Sequence, residues 1–457
     1  MTMKKVCVIG GGISGLCVAY RLKKKGVDVL LIERNVQCGG NIQTERDGDF
    51  LIEWGPNSTL VSAQLFELVA ELGLLGEVAP ANATAKKRYI LKDGKLRPLP
   101  LKIAQIVGTN ILSAKAKLKL LREPFVKTKS PENESVAEFF RRRLGQEVLD
   151  YAVDPFVSGI FAGNPDELSV KSAFPSLFKM EEDYGSILKA SVFGKKEKPG
   201  KFVPKGISRT VSFKNGMQSL TDKLAENLRD EIRTETEAVE WKTENGKWKI
   251  KTNLGNSNGE SFDAIVVAAP SFVAAKLIGD FDGELSRQLS EIYHPPLAVI
   301  VSAFRKEDIN FDLDGFGFLI PKVEQRKILG SLWSSVIFEK RAPQDVHLLT
   351  TFIGGARNAI LFDKSDDELF QIAREELDSI LGLKGEPIFQ KIKRWARAIP
   401  QYNLGYEKIT DSIEKFKKEN AGIFFCSNFY RGISVSDCIK SSVTATEEVL
   451  EFLKKYE

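Results

Sequence analysis

Apolar residues open the chain in a short continuous run and then recur at helical steps. Val6, Cys7, Val8 and Ile9 predict a buried strand, and Leu16, Ala19, Tyr20 and Leu22 within residues 14–25 predict a helix that stops at Gly26. A second apolar run follows at 27–32. Val136, Phe139, Phe140 and Leu144 share one helical face of residues 135–149, with Ser135 as the N-cap, and another helix starts near Ser219 after the Asn215-Gly216 turn. The run 150–170, rich in glycine, proline and aromatics, reads as a buried irregular segment, and 194–206 as a surface loop or linker. Residues 237–243 and 247–252 alternate in polarity around Asn245-Gly246, the pattern of a two-residue hairpin, and 263–269 reads as a short buried strand. The runs LAVIVSAF, GFGFLIP, GSLWSS and HLLTTFIGG predict strands between 297 and 361, followed by a helix over 365–381. A strand at 422–427, a turn at 428–432 and a helix over 433–453 close the chain, and no internal repeat is found.

Composition narrows the function. With 457 residues, 43% of them hydrophobic, the chain is long enough for two or three domains with cores of their own. The first strand begins almost at once, leaving no room for a leader peptide, and no apolar run has the length of a membrane span, so a cytoplasmic location is expected. Cys7, Cys17, Cys38, Cys426 and Cys438 contain no CxxC pair and are expected to be reduced packing residues. His294 and His347 are the only histidines, which argues against a histidine triad or a histidine-rich metal site and for chemistry resting on a cofactor. The net charge of +5 is unevenly placed: from Lys86 to Lys129 the acidic residues are essentially Asp93 and Glu123. Within that stretch Val107, Ile111, Ala114, Leu118 and Leu121 recur at helical steps, flanked by Lys115, Lys117, Lys119 and Arg122. Such a basic amphipathic helix either docks its apolar stripe on the protein's own core or lies on an anionic membrane surface. Nucleic acid is disfavoured as a partner, since no aromatic base-stacking surface accompanies the charge.

The strongest chemical signal sits between the first strand and the first helix, at Gly10-x-Gly12-x-x-Gly15. Glycines at a strand-to-helix turn let backbone amides approach a pyrophosphate, and the helix N-terminus adds partial positive charge. Glu33 closes the second apolar run at the offset from which a carboxylate accepts ribose hydroxyls. Strand, turn, helix, strand and acid together predict a dinucleotide site. The last strand, turn and helix resemble the first. There the helix opening near Ser434 and Val435 either packs as an ordinary C-terminal helix or aims free amides at a second polar part of the same cofactor, where a flavin ring fits.

The chain resembles the flavin-dependent protoporphyrinogen oxidase family, within the amine-oxidase-like flavoproteins, over essentially its full length. The resemblance rests on CGGNIQT with EWGPNS, KRYILKDGKLRPLP, NILSAKAKLKLLREPF, DPFVSGIFAGNP with LSVKSAFPSLF, GFGFLIP, RAPQD before TTFIGG, and GISV. It implies an α/β (α+β) fold with three parts: a Rossmann-like FAD-binding domain from 1–85, 206–278 and 386–457, a helical membrane-docking lobe over 86–205, and a β-sheet substrate domain over 279–385. FAD would lie along Gly10, Gly11, Gly12, Ile13, Ser14 and Gly15, with Glu33 and Arg34 at the ribose and Gly40, Asn41, Gly55, Pro56, Asn57 and Ser58 beside the cofactor. Val239 would meet the adenine, and Trp395, Ile433, Ser434 and Val435 would border the flavin ring. Arg88 would pair with a substrate propionate, and Leu319, Leu332 and Phe352, with Gly159 opposite, would form the apolar pocket; read without the resemblance, these four are core packing.

The activity implied is oxidation of protoporphyrinogen IX to protoporphyrin IX in porphyrin biosynthesis, with dioxygen as acceptor and hydrogen peroxide released. No acid or base and no metal is assigned. The implied partners are the tetrapyrrole, dioxygen, an anionic membrane surface holding the protein peripherally, and a second copy in a homodimer. Alternatives are coproporphyrinogen III oxidation, amine oxidation, and a non-enzymatic escort protein on the same fold. Two stretches depart from the family pattern: Ser427-Asn428-Phe429-Tyr430-Arg431-Gly432 stands where the family has Gly-Asn-His-Arg-Gly-Gly, and Asn215-Gly216-Met217 where it has Gly-Gly-Met or Gly-Gly-Leu.

Overall fold

Five short strands join residues from both ends of the chain into one parallel sheet, in the order Ile232–Arg233, Asp28–Ile32, Lys5–Ile9, Ala264–Val267, Ile423–Phe425. Such strands are covered on both faces, which is why they read as unbroken apolar runs. Val6, Val8 and Leu31 face one core while Cys7, Ile9 and Leu30 face another. The first helix, Ile13–Lys24, and the last, Val435–Lys455, pack together on the first of these faces. On the other lies a meander of Ala238–Glu244, Lys247–Thr252 and Gly255–Phe262, whose first turn puts Asn245 and Gly246 at φ +52° and +73°, as the Asn-Gly hairpin requires. The computed structural model describes residues 4–100, 103–106, 108–194 and 200–455.

A second sheet has seven strands, in the order Phe389–Trp395, Leu297–Arg305, Val346–Gly354, Ile328–Leu332, Gly315–Leu319, Lys87–Lys92, Lys95–Pro98. The four strands expected between 297 and 361 form its middle. Its outer members come from basic and mixed stretches that carry no clear period-two signal. Side-chain alternation gives the sheet two distinct faces. Ala298, Ile300, Phe304, Leu349 and Ile353 bury against the helix Asp366–Leu381, which opens with a capping box between Ser365 and Glu368. Val299, Val301 and Leu348 face the other way, toward Ile52 and Trp54.

The 103–193 stretch is built largely from helices, and its details correct the sequence reading. Of the single amphipathic helix expected from Val107 to Leu121, the described residues are helical at Ala114–Leu121, where Ser113 caps the helix by accepting from the Ala116 amide; a separate short helix, Ile103–Ile106, precedes it. Val107 itself lies outside the described residues. The inward side chains are Ile111 and Leu120, whereas Leu118 and Leu121 of the expected stripe are 50% and 64% exposed. Ser135 does cap a helix, with Glu138 completing a capping box, but that helix ends at Arg143 because the chain turns at Gly145, φ +98°. The segment 150–170 is mostly helical rather than irregular: a π-helical turn, Leu149–Val153, runs into Asp154–Phe161. Pro155 stands where the two join and, having no N–H to donate, interrupts the regular helical ladder there. Of the expected 194–206 loop, 195–199 lie outside the described residues.

Candidate active site

The first turn is built by close backbone contacts. Gly10 has φ +108°, and a Cβ there would come within 3.0 Å of the Ala268 carbonyl group. A Cβ on Gly15 would sit 2.0 Å from the Gly10 carbonyl oxygen, so helix and strand approach as only glycine permits. Over Gly12 the space is open. The first intrahelical bond runs from the Leu16 amide to the Gly12 carbonyl at 3.0 Å, so Ile13, Ser14 and Gly15 carry the helix's orphan amides, and no acidic side chain stands in the first turn. This opening can hold a pyrophosphate. The buried Glu33 carboxylate accepts from the Gly11 amide at 2.7 Å and from the Asn35 amide and side chain at 2.9 and 2.6 Å. Both Asn35 bonds fall on Oε1 and the Gly11 bond on Oε2, so Oε2 can still accept a ribose hydroxyl. The Gly39 amide donates to the Gly11 carbonyl, bringing Gly40 against Gly12, and Gly55 packs on the Asn41 carbonyl too closely for a Cβ, which would come within 1.8 Å. Arg34 is exposed beside this cluster. Val239 sits at a β-bulge that takes it out of ladder register, leaving its backbone for a ligand.

The last turn opens on the same sheet edge, because its strand runs parallel to the first and is likewise followed by a helix. The first and last helices pack against each other behind these two turns. Ser434 caps the C-terminal helix by accepting from the Asp437 amide at 3.0 Å. Trp395 is fixed by its indole N–H, which donates to the Trp54 carbonyl at 2.8 Å, next to Gly55. The departure at 215–217 keeps its turn through Gly216 rather than Asn215: Gly216 is at φ +93°, against Thr44. Glu53 supports it by accepting from the Met217 amide and the Thr44 hydroxyl, and burial pushes its carboxyl up to about 7.

Cross-strand register brings the expected pocket residues together. Leu319 pairs with Gly330, Gly330 with Phe352, and Leu332 with Thr350, which puts Leu319, Leu332 and Phe352 on the sheet face opposite the helix Asp366–Leu381. All three are half-buried, unlike the core residues around them. Gly159 lies against Leu319, whose Cδ2 would be 2.7 Å from an added Cβ. Arg88 lies beside this face, its guanidinium 4.6 Å from the Phe316 ring centroid. Burial pulls it below its ordinary value, and among the described residues no carboxylate pairs with it. His347, two-residue alternation away from Phe352, is on the other face, and burial pulls it down to about 4.

Two polar features were missed. The Asn57 side chain donates to the Ser334 hydroxyl, which bonds Thr350, while the buried Asn57 carbonyl oxygen has no partner in the structure. Lys393 reaches Gln43, whose amide holds the Gly40 carbonyl, and lies 4.9 Å over the Trp395 ring. Its position two residues before Trp395 on one strand was the available signal; Ser334 and Thr350 carried none. Among the described residues no cluster of histidine, cysteine or acidic groups has the makings of a metal site.

The model of the family described as flavin containing amine oxidoreductase matches residues 13–450. Protoporphyrinogen oxidase 2, chloroplastic/mitochondrial, of Arabidopsis thaliana is 36% identical, covering 99% of this chain and 94% of its own. Coproporphyrinogen III oxidase of Bacillus subtilis (strain 168) is 27% identical, covering 98% of each. A crystal structure from Exiguobacterium sp. 255-15 superposes with a TM-score of 0.82 at 26% identity, over 99% of this chain and 100% of that one. The chain therefore belongs to the flavin containing amine oxidoreductase family and, within it, to the protoporphyrinogen oxidases: it is an FAD-dependent oxidoreductase.

Proposed function

We propose that this protein oxidises protoporphyrinogen IX to protoporphyrin IX, with dioxygen consumed and hydrogen peroxide released. The observation that carries the reading is the half-buried row of Leu319, Leu332 and Phe352, with Arg88 beside it and no carboxylate partner among the described residues. Gly10–Gly15, Glu33, Gly40, Asn41 and residues 55–58 would hold FAD, with Trp395 and Ile433–Val435 bordering its ring, and the bound cofactor would supply the hydride acceptor. The chain's own work is to orient. A flat apolar macrocycle lies on the Leu319, Leu332 and Phe352 face against Gly159, and Arg88 anchors a propionate through a charge-assisted pair. His347 lies on the opposite face of the sheet, in keeping with a substrate whose pyrrole protons need no strong base.

The identity to a coproporphyrinogen III oxidase supports a second reading on the same chemistry. Coproporphyrinogen carries more carboxylates, and a face with one such arginine favours the less charged substrate. Anaerobic mixing of the FAD-loaded protein with each porphyrinogen, following flavin bleaching, separates them: faster bleaching by coproporphyrinogen overturns the first reading, and bleaching by neither overturns both. Arg88→Ala should raise the substrate KM about tenfold or more, the scale of a lost charge-assisted hydrogen bond, while leaving bound FAD unchanged. Loss of FAD instead would refute the assignment of Arg88.

We also propose a cytoplasmic location with peripheral attachment to an anionic membrane. Leu118, Leu121, Phe125, Val192 and Phe193 are 50%, 64%, 79%, 64% and 76% exposed, beside Lys115, Lys119, Lys127 and Lys129. Buried Glu123 ties the two parts of this surface, accepting from the Ser186 hydroxyl and the Ile187 and Leu188 amides. Apolar tips ringed by lysines suit an acidic lipid surface. No helix among the described residues is long and apolar enough to cross a membrane. Flotation with liposomes should need anionic lipid and weaken with salt. Flotation indifferent to lipid charge would refute the electrostatic part.

A further inference from the structure

We propose that Tyr402 and Tyr406 are positioning residues that clamp the 428–432 turn and thereby set the redox behaviour of the flavin, an inference that rests on the reading that this turn and Ile433–Val435 border the flavin ring. The turn has little of its own to hold it. Among its backbone bonds is one from the Tyr430 amide to the Ser427 carbonyl, and its single glycine, Gly432 at φ +111°, is pressed against Asp437, where a Cβ would meet the Asp437 Cβ at 2.6 Å.

Side chains supply the rest: Tyr430 and Arg431 pair with Glu414 and Glu448, the Cys438 thiol donates to the Gly432 carbonyl, and two tyrosines some two dozen positions earlier bond the backbone of the turn. The buried Tyr402 hydroxyl donates to the Asn428 carbonyl and accepts from the Gly432 amide at 2.9 Å, so one side-chain oxygen closes both ends of the turn. The Tyr406 hydroxyl donates to the Phe429 carbonyl in the middle of it, and the two rings lie 4.5 Å apart. Burial pushes both phenols well above their ordinary values, so they stay neutral and keep the proton each needs to donate. Hydroxyl bonds therefore fix the backbone of a turn whose Phe429 and Tyr430 side chains are buried in the core.

The consequence lies one residue further on. With the Gly432 amide taken up by Tyr402 and the Ser434 amide turned to the Asp437 carboxylate, the amides of Ile433 and Val435 at the helix start are the donors left for a ligand. Donors held in advance where negative charge grows stabilise the reduced flavin more than the oxidised one. A turn free to rotate would lose that difference, even with FAD still bound through its phosphates at the opposite end of the site.

The test is a redox titration of FAD-loaded wild type, Tyr402→Phe and Tyr406→Phe, with melting temperature measured alongside. Tyr402→Phe should hold FAD but prefer the reduced form about tenfold less than wild type does, a potential lower by about 30 mV for a two-electron couple. Tyr406→Phe should move in the same direction by less, since it removes one bond rather than two. Potentials equal to wild type in both variants, with or without a lower melting temperature, overturn the clamp. Should Tyr402→Phe not fold, Tyr406→Phe decides alone, and an unchanged potential overturns it. A wild-type protein that takes up no FAD would instead refute the flavin reading itself, and the clamp with it.

Discussion

The first and last strand-turn-helix units start their helices on the same sheet edge and pack those helices together, yet their turns are held in opposite ways. At the first, backbone meets backbone: Gly10 packs on Ala268, Gly15 on Gly10 and Gly40 on Gly12, with side chains absent where the chain must pass. At the last, side chains do the holding: Tyr402 and Tyr406 bond the 428–432 backbone, and Ser434 and Asp437 cap the helix. A turn made by missing Cβ atoms tolerates almost no substitution. One made by hydrogen-bonding side chains can exchange its own residues, as the Ser-Asn-Phe-Tyr-Arg-Gly sequence has, so long as its distant partners stay.

The sharpest way to break this contrast is Gly15→Ala. A methyl group 2.0 Å from the Gly10 carbonyl oxygen cannot be accommodated without moving the strand or the helix, so the protein should purify without flavin absorbance and resist reconstitution with FAD. Yellow protein would show that the first turn yields as readily as the last. Glu33→Gln should come next. It keeps the shape but removes the charge that accepts from Gly11 and Asn35, and FAD affinity measured by flavin fluorescence should fall about ten- to a hundredfold, the scale of hydrogen bonds to a charged group.

A third turn, at 215–217, mixes both devices: Gly216 has no room for a Cβ, and Glu53 holds the Met217 amide. Because burial raises the Glu53 carboxyl from its ordinary 4.5 to about 7, the folded state binds its proton more tightly than the unfolded chain does. The resulting stability is full below pH 4.5 and is lost as pH rises through about 7. Glu53→Gln, neutral at every pH, should flatten the decline in melting temperature between about pH 5 and 8, by a few degrees at most. An unchanged slope would mean that Arg341, 3.6 Å away, keeps the carboxylate charged. Smallest of all, Ser434→Ala removes a helix cap worth about 1 kcal/mol, and calorimetry should register a melting temperature lower by about one or two degrees.

Local pattern was enough for much of this protein. Apolar runs and turn residues located the five-stranded sheet's first two strands, the Asn245-Gly246 hairpin and the four middle strands of the larger sheet, because each depends on side-chain periodicity or a permitted φ within a few residues. The Gly10–Gly15 turn and Glu33 were legible for the same reason: the glycines are required by contacts inside one strand-turn-helix unit. Tertiary structure decided the rest. Phe389–Trp395 and Lys87–Lys92 become strands because sheet edges formed elsewhere offer them hydrogen bonds, and Leu118 and Leu121 face outward because Ser113 starts their helix anew. Leu319, Leu332 and Phe352 differ from core residues only in what remains uncovered beside them. Tyr402 looks like any buried tyrosine until the fold carries the last turn onto its hydroxyl, since nothing in its own neighbourhood along the chain names a partner so far away.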